Sequence, residues 1–181
     1  MKIIRLYIVM SLVLFSCANS PREMTKSAAK EIKIELIAQY HKPYCGGAYP
    51  SPEQERGSIH PISNETFYIK RGKLNTENEM SLLSFTTDEN GKATIWLPAG
   101  EYVVIKATQN FPFDKFYQPY QQKENSTTMT YLGEDCYREW YAKPETSFTV
   151  AEEQRIIQFT RQTNCFTSEN PCARYTGPLP P

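Results

Sequence analysis

The chain has 181 residues, of which 40% are hydrophobic and 13% are aromatic. This composition is typical of a globular protein, and the length is enough for one well-packed domain. Basic and acidic side chains number 20 each, so the formal net charge is zero at neutral pH. A balanced chain has no general attraction for polyanions, and we therefore expect no nucleic-acid partner.

The first residues have the layout of an export signal. Lys2 and Arg5 form a short positive region, and an apolar run over residues 6–15 follows, interrupted only by Ser11. The run is shorter than the roughly 20 residues that a membrane-spanning helix needs. The pattern therefore predicts a signal peptide over residues 1–16 and not a transmembrane anchor.

The segment from Leu14 to Cys17 resembles the lipobox of bacterial lipoprotein signals, with a leucine three positions before the cysteine and a small residue directly before it. In that family the cysteine thiol receives a diacylglycerol group, and the chain is cut on the amino side of the cysteine. The resemblance implies lipidation at Cys17 and a membrane-anchored protein. Because Ala18 and not aspartate follows, it also implies the outer membrane, facing the periplasm. The alternative is an ordinary signal peptide in which Cys17 has no special role.

Four further cysteines remain, Cys45, Cys136, Cys165 and Cys172. In an exported protein this even number predicts two disulfide bonds. A metal site is the alternative, but the sequence has no Cys-x2-Cys pair, so we predict neither a metal nor another cofactor. The short loop between Cys165 and Cys172 favours a bond between these two residues, which leaves Cys45 with Cys136. A bond from Cys45 to Cys165 is the competing arrangement, because both residues follow outer strands that can lie side by side.

Residues 17–30 are polar and lack an apolar period, so we interpret them as a flexible tether. After them the chain alternates apolar and polar residues in short runs, which is the signature of half-buried strands. We predict about seven strands, over residues 31–40, 66–71, 81–87, 92–97, 101–107, 147–150 and 156–161. No segment predicts an amphipathic helix of about ten residues or more. The expected fold is an all-β antiparallel sandwich over residues 31–164.

Residues 87–102 contain the most recognisable motif of the chain. They resemble the pattern T-D-x-x-G-x-x-x-x-x-L-P-x-G-x-Y of prealbumin-like sandwiches, which include the regulatory domains of carboxypeptidases and the Cna protein B-type repeats. The resemblance implies a prealbumin-like antiparallel β-sandwich and says little about function. Gly91 fits the pattern by supplying the positive φ of a two-residue hairpin turn, and Tyr102 by starting a strand that enters the core.

Many Cna protein B-type repeats form an internal bond between a lysine and an asparagine, catalysed by a buried acid. Lys33 on the first strand and Asn164 near the last are the candidates for that pair in this chain. The position of the acid, four residues after Tyr102, is occupied by Lys106, and a lysine cannot be the proton-shuttling acid. We therefore do not expect this crosslink, and we expect the disulfide bonds to brace the domain instead.

Residues 110–141 interrupt the strand pattern with a long aromatic-rich insertion. Flat aromatic rings on a loop can stack on sugars or hold an extended peptide. The alternative, which we favour, is that they cover the sandwich as a small additional core, because a loop of this length needs something to hold it. The candidate ligand-binding aromatics are Phe111, Phe113, Phe116, Tyr117, Tyr120 and Trp140. The last segment, residues 165–181, is rich in proline and predicts an irregular tail held by a disulfide bond.

No sequence motif points to catalysis. The chain has no Gly-x-Ser-x-Gly, no phosphate-binding loop and no His-Glu-x-x-His, so we predict no catalytic residues and no enzyme. His41 and His60 lie in or beside the proline-rich loop over residues 43–57 and are expected to have no role. We predict a non-enzymatic envelope lipoprotein whose β-sandwich binds a glycan, a peptide or an envelope protein, or supports the envelope. The alternative is an accessory or inhibitory subunit that docks to an envelope enzyme, and a hydrolase is less favoured.

Overall fold

The computed structural model describes residues 30–46, 49–152 and 155–178. The predicted signal peptide, Cys17 and the tether up to residue 29 lie outside the described residues. Within the described ranges, no helix is long and apolar enough to cross a membrane.

The described residues form ten strands and three short helices. The strands are β1 (Glu31–Lys42), β2 (Ser58–Pro61), β3 (Thr66–Arg71), β4 (Leu83–Thr86), β5 (Lys92–Pro98), β6 (Gly100–Lys106), β7 (Met129–Tyr131), β8 (Thr146–Val150), β9 (Ile156–Gln162) and β10 (Ala173–Tyr175). The helices are α1 (Pro52–Glu55), α2 (Phe113–Tyr117) and α3 (Glu134–Ala142), and a 3-10 turn spans Ala107–Asn110.

The first sheet is organised around β1. On one side β9 runs parallel to it, with Glu35 opposite Ile156 and His41 opposite Gln162. On the other side β5 pairs antiparallel with the first half of β1, and β2 pairs antiparallel with its last four residues. The strands β5 and β2 therefore lie end to end along one edge of β1, and β1 changes partner at Ala38.

The second sheet has the strand order β4-β3-β6-β8, and every pair in it is antiparallel. The two sheets face each other across the main core, because alternate residues of each strand point inward. The core residues are Ile34, Leu36, Ala38, Ile62, Phe67, Ile69, Phe85, Ile95, Leu97, Tyr102, Val104, Phe148, Val150, Ile157 and Phe159. Tyr102 is fully buried among them, and its hydroxyl donates to the Pro98 carbonyl at 2.9 Å. The predicted β-sandwich is thus confirmed.

Three details of the predicted sandwich are wrong. The pairing of β1 with β9 is parallel, so the sandwich is not antiparallel throughout. The sequence analysis missed β2, β7 and β10, which have only three or four residues each, because so short a segment shows no alternation. One of the missed strands, β10, lies in the predicted irregular tail and pairs with β7 of the insertion.

The turn at Gly91 differs from the predicted two-residue hairpin. Gly91 has φ +73° and donates its N–H to the Asp88 carbonyl at 3.0 Å, while Asp88 donates to the Lys92 carbonyl at 2.8 Å. Asn90 does not have positive φ. Residues 88–91 therefore form a β-turn that is not of the primed type, and its last residue, Gly91, is left-handed. It connects β4 of the second sheet to β5 of the first, and these strands are not paired with each other. The chain therefore crosses between sheets here.

The disulfide bonds join Cys45 to Cys165 and Cys136 to Cys172, with Cα atoms 5.4 Å and 5.8 Å apart. The favoured pairing, Cys165 with Cys172 and Cys45 with Cys136, is wrong, and the competing arrangement is the one present. The parallel pairing of β1 with β9 explains this result. Cys45 follows the end of β1 by three residues and Cys165 follows the end of β9 by three, so both reach the same end of the sheet.

The long insertion folds into a second core, which we call the aromatic core. Its buried residues are Phe113, Phe116, Tyr137, Tyr141 and Cys172, and packed against them are Tyr117, Tyr120, Leu132, Cys136 and Trp140. The 3-10 turn that opens the insertion lies against β3 and β6. The side chains of Val103 and Ile105, which point away from the main core, are fully buried. The insertion therefore covers the outer face of the second sheet.

Three buried polar side chains, which we call the polar clamp, fix this cover. They are Lys70, Asn75 and Gln109. The Asn75 amide donates to the carbonyls of Gln109 and Tyr141 at 3.1 Å and 3.0 Å. The Gln109 amide donates to carbonyls at the end of α3, including that of Lys143 at 2.8 Å. The clamp thus joins β3, the 3-10 turn and α3 through hydrogen bonds between buried groups.

Candidate functional site

The candidate functional site is a cleft of about 570 Å³ where the sandwich, the aromatic core and the C-terminal segment meet. We call it the junction cleft. Its lining residues are Asn64, Glu65, Thr66, Lys106, Ala107, Thr108, Tyr120, Trp140, Thr167, Ser168, Glu169 and Asn170. The cleft thus combines aromatic rings, hydroxyls, amides and charged groups from five separate stretches of the chain.

An ion-pair network adjoins the junction cleft, and three of its members, Glu65, Lys106 and Glu169, line the cleft. Arg161 on β9 makes two hydrogen bonds to the Glu65 carboxylate, at 2.6 Å and 3.0 Å, and its Nε approaches Glu145 Oε2 at 3.1 Å. Its Nη1 also lies 3.5 Å from Glu169 Oε2. The side chain of Arg161 is 11% exposed and that of Glu145 is 7% exposed. Such buried charges are tolerated because each meets an opposite charge.

Lys106 is the second cation of the network. Its Nζ lies 3.3 Å from Glu145 Oε1 and also pairs with Glu169. The same ammonium stands 5.4 Å from the centre of the Trp140 ring, which places it over the π-face. Lys106 occupies the sequence position at which the resemblance required an acid, and it serves as a positive partner for two acids.

The expected positions of the other crosslink residues are also corrected. Lys33 is exposed on the outer face of the first sheet, opposite Trp96 of β5. Asn164 lies beyond the end of β9, two residues after the Gln162 that pairs with His41. Along β1 these positions differ by roughly ten residues, or about 33 Å at 3.3 Å per residue. The lysine and the asparagine are therefore at opposite ends of the sheet and are not a reacting pair.

The charges of the network hold its groups ionised. Burial raises the pKa of Glu169, but the Lys106 hydrogen bond and the charges of Lys106 and Arg161 outweigh it and lower the pKa below its usual value of 4.5. Burial lowers the pKa of Arg161, but the hydrogen bonds that it donates to Glu65 and the charges of Glu145 and Glu169 outweigh burial and raise the pKa. Neither group titrates near neutral pH, which is where a general acid or base works best.

Glu169 should contribute to the loss of stability of the folded protein between neutral and acidic pH. Because its pKa is lowered in the folded state, its stabilising contribution is present above its usual pKa and is lost as the pH falls through the folded value. We expect Glu169→Gln to lower the melting temperature at about pH 7. We expect this difference from the wild type to shrink as the pH falls toward about 3, because acid progressively protonates the wild-type carboxylate. Thermal melts of the wild type and of Glu169→Gln at about pH 7 and about pH 3 measure the difference in melting temperature.

Glu89→Gln is the matched control for this prediction. Glu89 lies exposed on the turn before Gly91, and its carboxylate makes no ion pair within the described part of the chain. This variant should melt close to the wild type at both pH values. If the melting temperature of Glu169→Gln lies as far below that of the wild type in acid as at neutral pH, the stabilising role of ionised Glu169 is contradicted.

The structure divides the six predicted ligand-binding aromatics. Phe113 and Phe116 are buried in the aromatic core, where no ligand could reach their faces. Tyr117 packs on the same core, stacked with Phe113 at 5.5 Å. Phe111 is 52% exposed but does not line the junction cleft. Tyr120 and Trp140 are the two that line the cleft.

The charged residues of the site were missed by the sequence analysis. Glu65, Lys106, Glu145, Arg161 and Glu169 are spread over more than half of the chain, and none belongs to a recognisable motif. The one available signal was Lys106, a charged residue that follows the apolar run over residues 102–105 in an alternating position. The sequence pattern gave Lys106 only the position of a missing acid.

The two histidines lie beside the proline-rich loop, on the strands that flank it. His41 is the second-last residue of β1, and its Nε2 lies 2.8 Å from the Arg56 carbonyl. His60 lies on β2, stacks on Tyr40 at 5.2 Å and hydrogen-bonds to Ser58. Within the part of the chain that the structure describes, no three His, Cys, Asp or Glu residues are placed to hold a metal ion.

Comparison with known proteins yields no relative by sequence, since no protein-family model and no characterised protein matches the chain. Among solved structures, the shaft pilin SpaA from Lactobacillus rhamnosus GG is similar at a TM-score of 0.37 and 10% identity, over 74% of this chain and 51% of the pilin. A point mutant of the same pilin gives a TM-score of 0.35 and 9% identity. This chain spans about half the length of these pilins. The β-sandwich described above rests on its own strand pairing and core.

Proposed function

We propose that the protein is a lipid-anchored component of a bacterial cell envelope, held in the outer membrane by Cys17, and that its β-sandwich is a non-enzymatic binding or structural module. The observation that carries this proposal is the cysteine pairing. The four cysteines of the described residues form two disulfide bonds with each other. Cys17 is then the one cysteine left over, and it stands at the end of a lipobox-like segment.

The disulfide bonds also support export. Disulfide bonds form and persist in oxidising compartments such as the bacterial periplasm, and they are rare in the cytosol. Each bond here links segments that are distant in sequence, with separations of 120 and 36 residues. Bonds that close such long loops restrict the unfolded chain strongly and thereby stabilise the folded domain.

The chemistry of the junction cleft supports a non-enzymatic role. Its acids and bases are committed to ion pairs with one another, and the pKa of Glu169 is lowered while that of Arg161 is raised. A catalytic acid or base needs a proton affinity matched to the working pH. Charges locked in this way hold segments together and shape a surface, which is the task of a binding or structural module.

Lipidation can be tested at Cys17. We expect Cys17→Ser to lose all incorporation of labelled fatty acid and to move from the detergent phase to the aqueous phase on partitioning, because serine has no thiol to accept the diacylglycerol group. Labelling cells that express each protein, followed by phase separation, measures both effects.

The matched control for this test is Ser16→Ala, which keeps a small residue before the cysteine and should be labelled like the wild type. If Cys17→Ser still carries labelled fatty acid and still partitions with detergent, the lipid anchor is not at this residue and the proposal fails.

A further inference from the structure

From the make-up of the junction cleft we infer that it binds a neutral oligosaccharide. This inference deepens the proposed binding role and rests on it, but it does not depend on acylation of Cys17. The volume of about 570 Å³ falls in the range of roughly 300–1,000 Å³ that is usual for small-ligand sites.

The two aromatic rings of the cleft are held in place by the core behind them. Tyr120 stacks on Tyr137 with ring centres 4.7 Å apart and an angle of 25° between the planes. Because that face is covered and the residue lines the cleft, the ring is presented from its other side. Trp140 is fixed by an edge contact with Phe116 at 5.2 Å and 72°. Rings that are already immobile cost little entropy when a ligand stacks on them.

The other wall of the cleft supplies hydrogen-bonding groups. Thr108 is exposed at its rim, and the C-terminal segment contributes the hydroxyls of Thr167 and Ser168 and the amide of Asn170. A sugar ring has an apolar face of C–H groups and a rim of hydroxyls that both donate and accept. An aromatic floor beside a wall of hydroxyls and amides therefore matches a sugar better than it matches a purely apolar ligand.

The charges of the cleft select against ionic ligands. Its one lining cation, Lys106, is already paired with Glu169, which also lines the cleft, and with Glu145, which does not. The charged lining residues are Glu65, Lys106 and Glu169, so two carboxylates against one ammonium leave one negative charge in excess, and an anionic sugar is repelled. A cationic ligand would have to displace Lys106, which already stands over the Trp140 ring. A neutral ligand is not repelled and can stack on the Tyr120 ring, which has no cation of the described residues over it, and the outward lone pairs of the carboxylates can accept its hydroxyl protons.

The tryptophans allow a direct test with the full chain. The protein has two, Trp140 in the cleft and Trp96 on the outer face of the first sheet. In a Trp96→Phe background, the fluorescence of Trp140 should change saturably on titration with a tetramer of β-1,4-linked N-acetylglucosamine or of β-1,4-linked glucose. Any detergent used must have no sugar headgroup. A tetramer of hexuronic acid should bind at least about tenfold more weakly than the better neutral tetramer.

Thr108→Arg tests the site itself, because a long charged side chain at the rim should block the cleft without disturbing the core. It should weaken binding by about tenfold or more. Thr94→Arg places the same change at an exposed position of β5 and should bind like the parent. Equal affinities for these two variants, no saturable response to either neutral tetramer up to about 10 mM, or tighter binding of the acidic tetramer would overturn the inference. None of these results would affect the fatty-acid labelling that tests the anchor.

Discussion

Gly91→Val is expected to destabilise the domain by about 3–5 kcal/mol. The residue has φ +73°, and a non-glycine residue held in that region costs roughly 1–3 kcal/mol. In addition, a Cβ atom on Gly91 would lie 2.4 Å from the Ala38 carbonyl oxygen. That oxygen is fixed, since it accepts from the Ile62 N–H at 2.9 Å. The side chain can be accommodated only by pushing β1 or β2 out of register.

Thermal melts can separate the two causes because the chain contains a matched glycine. Gly72 has φ +103°, but a Cβ atom there would meet nothing within 4 Å. Gly72→Val should therefore show backbone strain alone, about 1–3 kcal/mol. For a chain of this size each kcal/mol lowers the melting temperature by roughly 2–4 °C. If Gly91→Val and Gly72→Val have the same melting temperature, the close approach of Gly91 to β1 does not contribute to the destabilisation.

Asn75→Ala is expected to cost roughly 3 kcal/mol, because it breaks the polar clamp at its centre. The substitution leaves the Gln109 carbonyl without its donor, removes one of the two donors of the Tyr141 carbonyl, and removes the 2.9 Å acceptor of the Lys70 ammonium. Burial already lowers the pKa of Lys70, opposed by the charges of Glu79 and Glu77. Its ammonium would keep only the Thr76 carbonyl as a partner. Each buried group left unsatisfied costs about 1–3 kcal/mol.

Denaturant unfolding gives the free energy of this change, and limited proteolysis shows where the structure loosens. We expect faster cleavage within residues 111–142, since the clamp holds the insertion against the second sheet. Asn78→Ala in the same loop is the control. Asn78 is exposed, so its replacement should change stability by less than about 0.5 kcal/mol. A clamp variant that unfolds like this control would show that the insertion is held by its aromatic core alone.

The predicted strands agree with the structure where alternation is long or strong. The bounds of β3 are those predicted, and β1 continues two residues further than predicted. Alternation in sequence follows directly from the geometry of a half-buried strand, which explains this success. It carries no information on which strand is the neighbour, so the parallel pairing of β1 with β9 was missed. The disulfide pairing was missed with it, because that pairing follows from the neighbours.

The candidate site was only partly predictable. The aromatic content of the insertion marked Tyr120 and Trp140, but it also marked Phe113 and Phe116, which are buried. A ring in a core and a ring at a surface have the same sequence signature, since both are selected for apolar area. The ion pairs of the network join residues up to 96 positions apart, as with Glu65 and Arg161, and only the fold brings them together. Without an account of strand order, no spacing rule could have found them.

The direction of β1 determines where a tethered domain would present its cleft. The segment after Cys17 enters the sandwich at Glu31, the first residue of β1. Arg161, which is paired with the cleft residues Glu65 and Glu169, lies opposite Tyr40, nine residues further along the strand. At about 3.3 Å per residue this is roughly 30 Å. A chain held at Cys17 is held by the near end of its domain, so the cleft is at the far end, where it can meet molecules beyond the lipid headgroups.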